Sequence, residues 1–343
     1  MEQQVSAATK RATTYPKGQN EWYCNFSYGE AYGLGYEPGV NRRDPSNILI
    51  VGDLFYVWYT KSVGACSPRT EKDIYAKKFH WDYADVWYAT SPDGIHWEEK
   101  GCAVHRGNEN ECDGRTVCTP DVMEHDGKFY LVYQTQRQNI AYSGSGEGTG
   151  MAVANTPDGP WEKIPGNILE PIEGGYWYGE DCENYNYGLF HGLVHDPSMM
   201  YYNGKFYLYY KCGSVSNKVL VKYAGRDTRI GVAISDSPTG PFVPHPLNPL
   251  TNSGHETMLW QYDGGVCVLL NRDGPEKDTI QYAKDGINFE IMSHVEHTPW
   301  AAGAIRTLTP DRTPLEGLRW GLCHKDEGSS PWSYIQRFDT ITL

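Results

Sequence analysis

Four acids recur at one phase of a repeated pattern in this 343-residue chain. Asp44 in RRDPSNILI precedes Phe55 by 11 residues, and Asp121 in CTPDVMEHDG precedes Phe129 by 8. Asp196 in VHDPSMMYYNG precedes Phe206 by 10, and Glu256 in GHETMLWQYDG precedes Val266 by 10. Carboxylates brought together repel and lose solvent, which drives their pKa values apart. Such a cluster costs stability and is normally kept for proton transfer or for a cation. For a single Asp-Pro the competing explanation is local, with Asp capping backbone where a strand opens. That explanation weakens for a set in phase. His255, next to Glu256, adds a group that carries a proton near neutral pH, although a lone strand histidine is more often structural.

Glycoside hydrolysis is the chemistry this set suits. It needs a proton donor for the leaving oxygen and either a base for water or a nucleophile. Acids far apart in sequence can serve only if the fold returns the chain to one place, so the repeat itself must position them.

That repeat is a turn followed by an aromatic-rich strand: VGDLFYVWYT (51–60), HDGKFYLVYQ (125–134) and YNGKFYLYYK (202–211), with weaker copies YDGGVCVLLN (262–271) and EGLRWGLCHK (316–325). The Asp/Asn-Gly pairs are hairpin signals. A second β-rich stretch ending in a turn and an aromatic follows the first four, as in VWYATSPDGIHW (86–97), MAVANTPDGPW (151–161), GVAISDSPTGPF (231–242) and IQYAKDGINF (280–289). The fifth unit has only WSYIQRFD (332–339). Strand, hairpin, strand, link, strand, turn, strand, five times over, predicts an all-β, five-bladed β-propeller. In that fold the first strand of each blade lines the central channel, so four blades aim carboxylates at one pocket.

Two connections are long for ordered loops, 62–85 and 167–194, and the second is crowded with Tyr, Trp, Glu and Asp. A lid or binding wall is expected there. Glu180 in this loop, His195 beside Asp196, and Asp121 are the candidate substrate contacts. Residues 1–40 do not fit the repeat. QQVSAATKRA could form a short helix, and an arm too short for a domain must dock on its own propeller or on a neighbour. The expected division is therefore an N-terminal arm at 1–40 and a catalytic propeller at 41–343.

Composition narrows the classes further. Thirty basic against 43 acidic residues give a net charge of −13, which argues against nucleic acid as a partner. Twenty-six Tyr and 11 Trp suit both strands and sugar-binding clefts. The nine cysteines include no C-x-x-C pair, so they read as free thiols. No apolar run reaches transmembrane length and no signal-peptide core opens the chain, giving an expectation of a cytoplasmic or periplasmic protein without a membrane partner. No glycine-rich loop at a strand–helix junction supports an organic cofactor.

RRDPS with the following FYVWYT, then HDPSMMYYNGKFYLYYK, then GHETMLW, in that order, resemble glycoside hydrolase family 117, the α-1,3-(3,6-anhydro-L-galactosidases) acting on neoagaro-oligosaccharides. Ser6, Ala8 and Arg11 also fit that family's S-x-A-x-x-R motif, whose helical segment is exchanged in a homodimer. The resemblance implies an inverting, exo-acting enzyme. Asp44 would be the base that activates water, Asp196 would orient the donor and hold substrate, Glu256 would complete the acidic set, and His255 would be the unusual general acid. It also implies one divalent cation near the channel. His324 in GLCHKDEG, assigned to the first strand of the fifth blade, is the candidate ligand, against the commoner reading of a packed histidine. The repeat alone is shared with family 43 enzymes acting on arabinofuranosides or xylosides, where Asp and Glu suffice. A non-catalytic carbohydrate-binding propeller would keep the aromatics without needing the acids.

Overall fold

The structure, a computed structural model, describes residues 6, 20–68, 70–138, 147–171, 194–213, 228–272, 274–306, 312–326 and 332–342. Among these residues it is almost wholly β, with a single 3-10 turn at Glu316–Leu318. Strand β1 (Cys24–Glu30) is the first described strand but belongs to the last sheet. Blade one holds β2 (Val40–Arg43), β3 (Leu49–Val51), β4 (Leu54–Val63), β5 (Asp85–Ser91) and β6 (Glu98–Val104). Blade two holds β7 (Thr116–His125), β8 (Lys128–Gln136), β9 (Glu147–Ala154) and β10 (Glu162–Lys163). Blade three holds β11 (His195–Tyr202), β12 (Lys205–Gly213), β13 (Thr228–Ser235) and β14 (Val243–Pro244). Blade four holds β15 (Met258–Tyr262), β16 (Gly265–Leu270), β17 (Thr279–Ala283) and β18 (Glu290–His294). Blade five holds β19 (Ala302–Ala304), β20 (Trp320–Asp326) and β21 (Ser333–Thr342), with β1 as its outer strand. The fold is thus a five-bladed β-propeller.

Local chemistry explains the hairpins. Asp126-Gly127, Asn203-Gly204 and Asp263-Gly264 all take positive φ, the geometry of a two-residue turn whose twist matches its strands. Each sheet is covered on both faces by its neighbours, so strands read as near-continuous apolar runs. Tyr56, Trp58 and Val86 of blade one, for instance, pack with Val117, Leu131 and Tyr133 of blade two.

The ring closes in two places. At the rim, β1 pairs antiparallel with β21 from Cys24↔Thr342 to Glu30↔Gln336. In the channel, Ile48 N–H donates to Ala304 O at 3.0 Å and Ala304 N–H to Asn47 Oδ1 at 3.1 Å. A Cβ on Gly303 would sit 1.7 Å from Ser46 O, so only glycine lets β19 approach blade one this closely.

Three sequence expectations are revised by this topology. The propeller's sheets begin at Cys24, inside the segment assigned to the arm. The innermost strand of blade five is β19, and 320–326 is the second strand, so His324 is not on the first. The outer strand missing from the fifth repeat comes from β1. The expected helix at 3–12 lies outside the described residues apart from Ser6.

Candidate active site

Five inner segments meet at the channel: Asp44–Asn47, Thr119–Asp121, Asp196–Ser198, Glu256–Thr257 and Ala301–Ala302. Each carries one residue in the left-handed region at the same place, Asp44 (φ 50°), Thr119 (48°), Asp196 (48°), Glu256 (55°) and Ala301 (41°). A non-glycine residue there costs roughly 1–2 kcal/mol, and such strain concentrates at functional sites. The kink splits the first strand of blade one into β2 and β3 and coincides with register shifts between Cys118 and Asp121 and between His195 and Ser198.

Asp44, Asp196, His255 and Glu256 open together into a cavity of about 620 Å³. Donor atoms of Asp196, His255 and Glu256 all lie within 4.8 Å of one another. His255 Nε2 is 3.6 Å from Glu256 Oε1, and the Glu256 N–H donates to Asp196 Oδ2 at 3.2 Å. Beneath them the channel narrows to about 30 Å³, space for a water or so.

Charge in this group is balanced from within. Arg43 Nε lies 3.2 Å from both oxygens of Asp44, and its Nη2 is 3.9 Å from Glu256 Oε1. His324 Nδ1 lies 3.1 Å from Asp44 Oδ1. Lys211 Nζ is 2.7 Å from Asp196 Oδ2, with both side chains buried. Burial pushes the Asp44 carboxyl up, but Arg43 and His324 outweigh it and hold Asp44 below its ordinary value. Burial likewise opposes ionisation of Glu256, yet His255, His324 and Lys211 bring it well below the usual carboxylate range. Lys211 shows the converse: burial disfavours its charge, and Asp196 and Glu256 more than restore it.

The wall comes from the long connection within blade one, whose Phe79, His80 and Trp81 line the cavity. Phe79 and Trp81 stack at 4.6 Å, and the Arg43 guanidinium sits 5.2 Å over Trp81. The segment is fixed by buried Asp82, which accepts from the N–H groups of Lys78 (2.7 Å) and Phe79 (3.1 Å) and from Arg115 Nε (3.0 Å) and Nη2 (2.9 Å). On the opposite side His195 Nε2 pairs with Glu147, whose other oxygen accepts from Gln136 Nε2 at 2.8 Å. Both His195 and Glu147 line the cavity.

Asp121 is in the channel but set apart from the other acids. Its oxygens accept from Asn47 Nδ2 (3.0 Å), Ser198 Oγ (3.0 Å), Met199 N–H (3.0 Å) and Arg306 Nη2 (2.8 Å). The second blade's counterpart of Asp44 is Thr119, so Asp121 matches Ser46 and Ser198, two residues further in. Glu180 lies outside the described residues. Arg43, Glu147 and Lys211 escaped the sequence reading, whereas the Phe79–Trp81 wall falls within 62–85, one of the two long connections singled out there. Only Lys211 left a trace, as a charge ending the apolar strand YLYYK opposite His195.

The Asp196–His255–Glu256 triad has donors close enough for a metal ion, but Lys211 at 2.7 Å from Asp196 and Arg43 at 3.9 Å from Glu256 already balance its two carboxylates. His324 is buried against Asp44 and joins no group of three metal-ligating donors among the described residues.

Residues 40–178 match the model of glycosyl hydrolases family 43. A non-reducing end α-L-arabinofuranosidase of Bacteroides ovatus is 27% identical over 221 residues, and the sucrose-6-phosphate hydrolase of Escherichia coli 26% over 141. These matches take in 54% and 40% of this chain but 39% and 26% of those proteins' own lengths. A solved family 117 glycoside hydrolase from the marine bacterium Zobellia galactanivorans is 34% identical, with a TM-score of 0.79, across 94% of this chain and 92% of that one. Propeller, acid-lined channel mouth and relatives define a glycoside hydrolase of the propeller type. With identity of that order sustained along nearly the whole of both chains, the protein belongs to glycoside hydrolase family 117.

Among the described residues, no helix is long and apolar enough to cross a membrane. Of the eight described cysteines, Cys24, Cys118, Cys212, Cys267 and Cys323 are buried.

Proposed function

We propose that the enzyme removes 3,6-anhydro-L-galactose from the non-reducing end of neoagaro-oligosaccharides with inversion. The observation that carries this reading is the convergence of Asp44, Asp196, His255 and Glu256 in one cavity. Their protonation states divide the labour. Asp44, kept ionised by Arg43 and His324, takes a proton from water as that water's oxygen bonds the anomeric carbon. Glu256 is also held as a carboxylate, which makes it a poor proton donor. His255 Nε2, beside it, gives its proton to the leaving glycosidic oxygen as that bond breaks. Asp196 with Lys211 grips sugar hydroxyls, and the Phe79–Trp81 wall offers aromatic surface.

A second reading, α-L-arabinofuranoside hydrolysis, is favoured by the Bacteroides relative. It calls on a protonated Glu as acid, and the depressed Glu256 speaks against that. A screen of agar-, carrageenan-, arabinan- and xylan-derived oligosaccharides separates the two. Release of anhydrogalactose, seen by NMR first as the inverted anomer, supports the first. Turnover of arabinan or xylan fragments alone overturns it.

The arm at the chain start is proposed to join two protomers. A dimer by light scattering that becomes monomeric on deleting residues 1–19 is the expected result, and a monomeric full chain would end the idea.

A further inference from the structure

A cluster on the outer edge of blade one has no part in the reaction above. Asp85 opens β5, Cys102 lies in the edge strand β6, and His105 follows just beyond it. Cys102 Sγ is 3.4 Å from His105 Nδ1, and that nitrogen is 3.7 Å from Asp85 Oδ2. All three donor atoms lie within 4.8 Å of one another. We propose that Asp85, Cys102 and His105 form a binding site for a divalent transition metal of the zinc class.

The geometry is that of a coordination sphere. Around a tetrahedral zinc, with bonds of about 2.3 Å to sulfur and about 2.0–2.1 Å to nitrogen and oxygen, donors stand roughly 3.3–3.6 Å apart. The two short separations here already come close to that spacing, so little rearrangement is required. Asp85 is oriented as a ligand carboxylate should be. Its Oδ1 accepts from the Arg106 N–H at 2.9 Å and faces the Arg106 guanidinium at 3.3 Å, leaving Oδ2 toward His105. Lys163, the other nearby cation, is paired with Asp113 at 2.6 Å. The His105 side chain is 77% exposed, so the ring can turn and solvent can supply a fourth ligand. One sulfur, one nitrogen and one oxygen donor select zinc or cobalt over magnesium or calcium. Binding passes the Cys102 thiol proton to solvent and leaves a thiolate on the metal, with no change of oxidation state.

The site also has mechanical reach. Arg106 Nη1 donates to Tyr83 O at 2.7 Å, at the base of the segment that carries Phe79–Trp81 into the catalytic cavity. A bound ion would clasp β5, β6 and that base together and raise thermal stability by mass action.

The test is a titration of the reduced, full-length enzyme with Co²⁺. The expected result is one equivalent giving a near-ultraviolet thiolate-to-cobalt band with intense visible bands of tetrahedral cobalt, displaced by Zn²⁺. Both should vanish in Cys102→Ser and His105→Ala and persist in Cys112→Ser, with hydrolase activity retained in all three as the check on folding. Absence of the thiolate band in wild type, or its survival in Cys102→Ser, would overturn the proposal.

Discussion

Blades one and two present their acids to the same channel and put them to opposite uses. In blade one the left-handed residue is itself the acid, so Asp44 opens into the catalytic cavity beside Arg43 and His324. In blade two that position is Thr119, and the acid two residues on is bonded from blades one and three and by Arg306. Position within a repeat therefore sets an acid's work more than its presence does. The acid at the kink opens into the cavity, and the acid two steps further in ties blades together.

The comparison is tested most severely by paired substitutions. Asp44→Asn should cut turnover by about 10³-fold or more while the enzyme still folds, in keeping with loss of a general base. Full activity in that variant would remove the mechanism. Asp121→Ala should do the reverse, stranding the half-buried Arg306 and removing a buried carboxylate that ties three segments, at a cost of about 3 kcal/mol in urea unfolding, with the surviving folded enzyme still active. If it unfolds no more readily than wild type, the structural role given to Asp121 fails.

A smaller effect should appear with pH. Asp44 and Glu256 have depressed native pKa values, so the stability they supply is present above their ordinary values of 3.8 and 4.5 and is lost as pH falls through the lower native ones. Wild type should therefore begin to lose that stability as pH falls below about 4.5, with the loss blunted in Glu256→Gln. An identical acid transition in the two proteins would contradict it. Smallest of all should be the effect of chelation. Because Lys211 and Arg43 already balance the carboxylates, dialysis against EDTA should leave kcat/KM within about twofold of wild type. A loss that metal restores in Cys102→Ser as well as in wild type would show that an ion shares the site.

Most of the propeller is legible because the inner hairpins of blades two, three and four have a local cause, an Asp-Gly or Asn-Gly turn between their strands. What escaped has no local cause. β19 is three small residues whose meaning lies in their approach to Ser46, and β1 is largely exposed along its length and acquires a role only by pairing with β21. The candidate site divides along the same line. Asp44, Asp196, His255 and Glu256 are legible from motif and phase, but Asp121 precedes Phe129 by only 8 residues, and Thr119, at the 10 that Asp196 and Glu256 keep, holds the kink. Arg43 and Lys211 became visible only once neighbouring strands placed them against the acids.

The seam between β1 and β21 has a consequence for how the chain is made. During synthesis β1 must wait for β21, which follows every other described strand, so the ring stays open until all five blades have been made. A product stopped short of residue 333 would carry unsatisfied edges along β1 and β20, an invitation to pair with other unfinished chains.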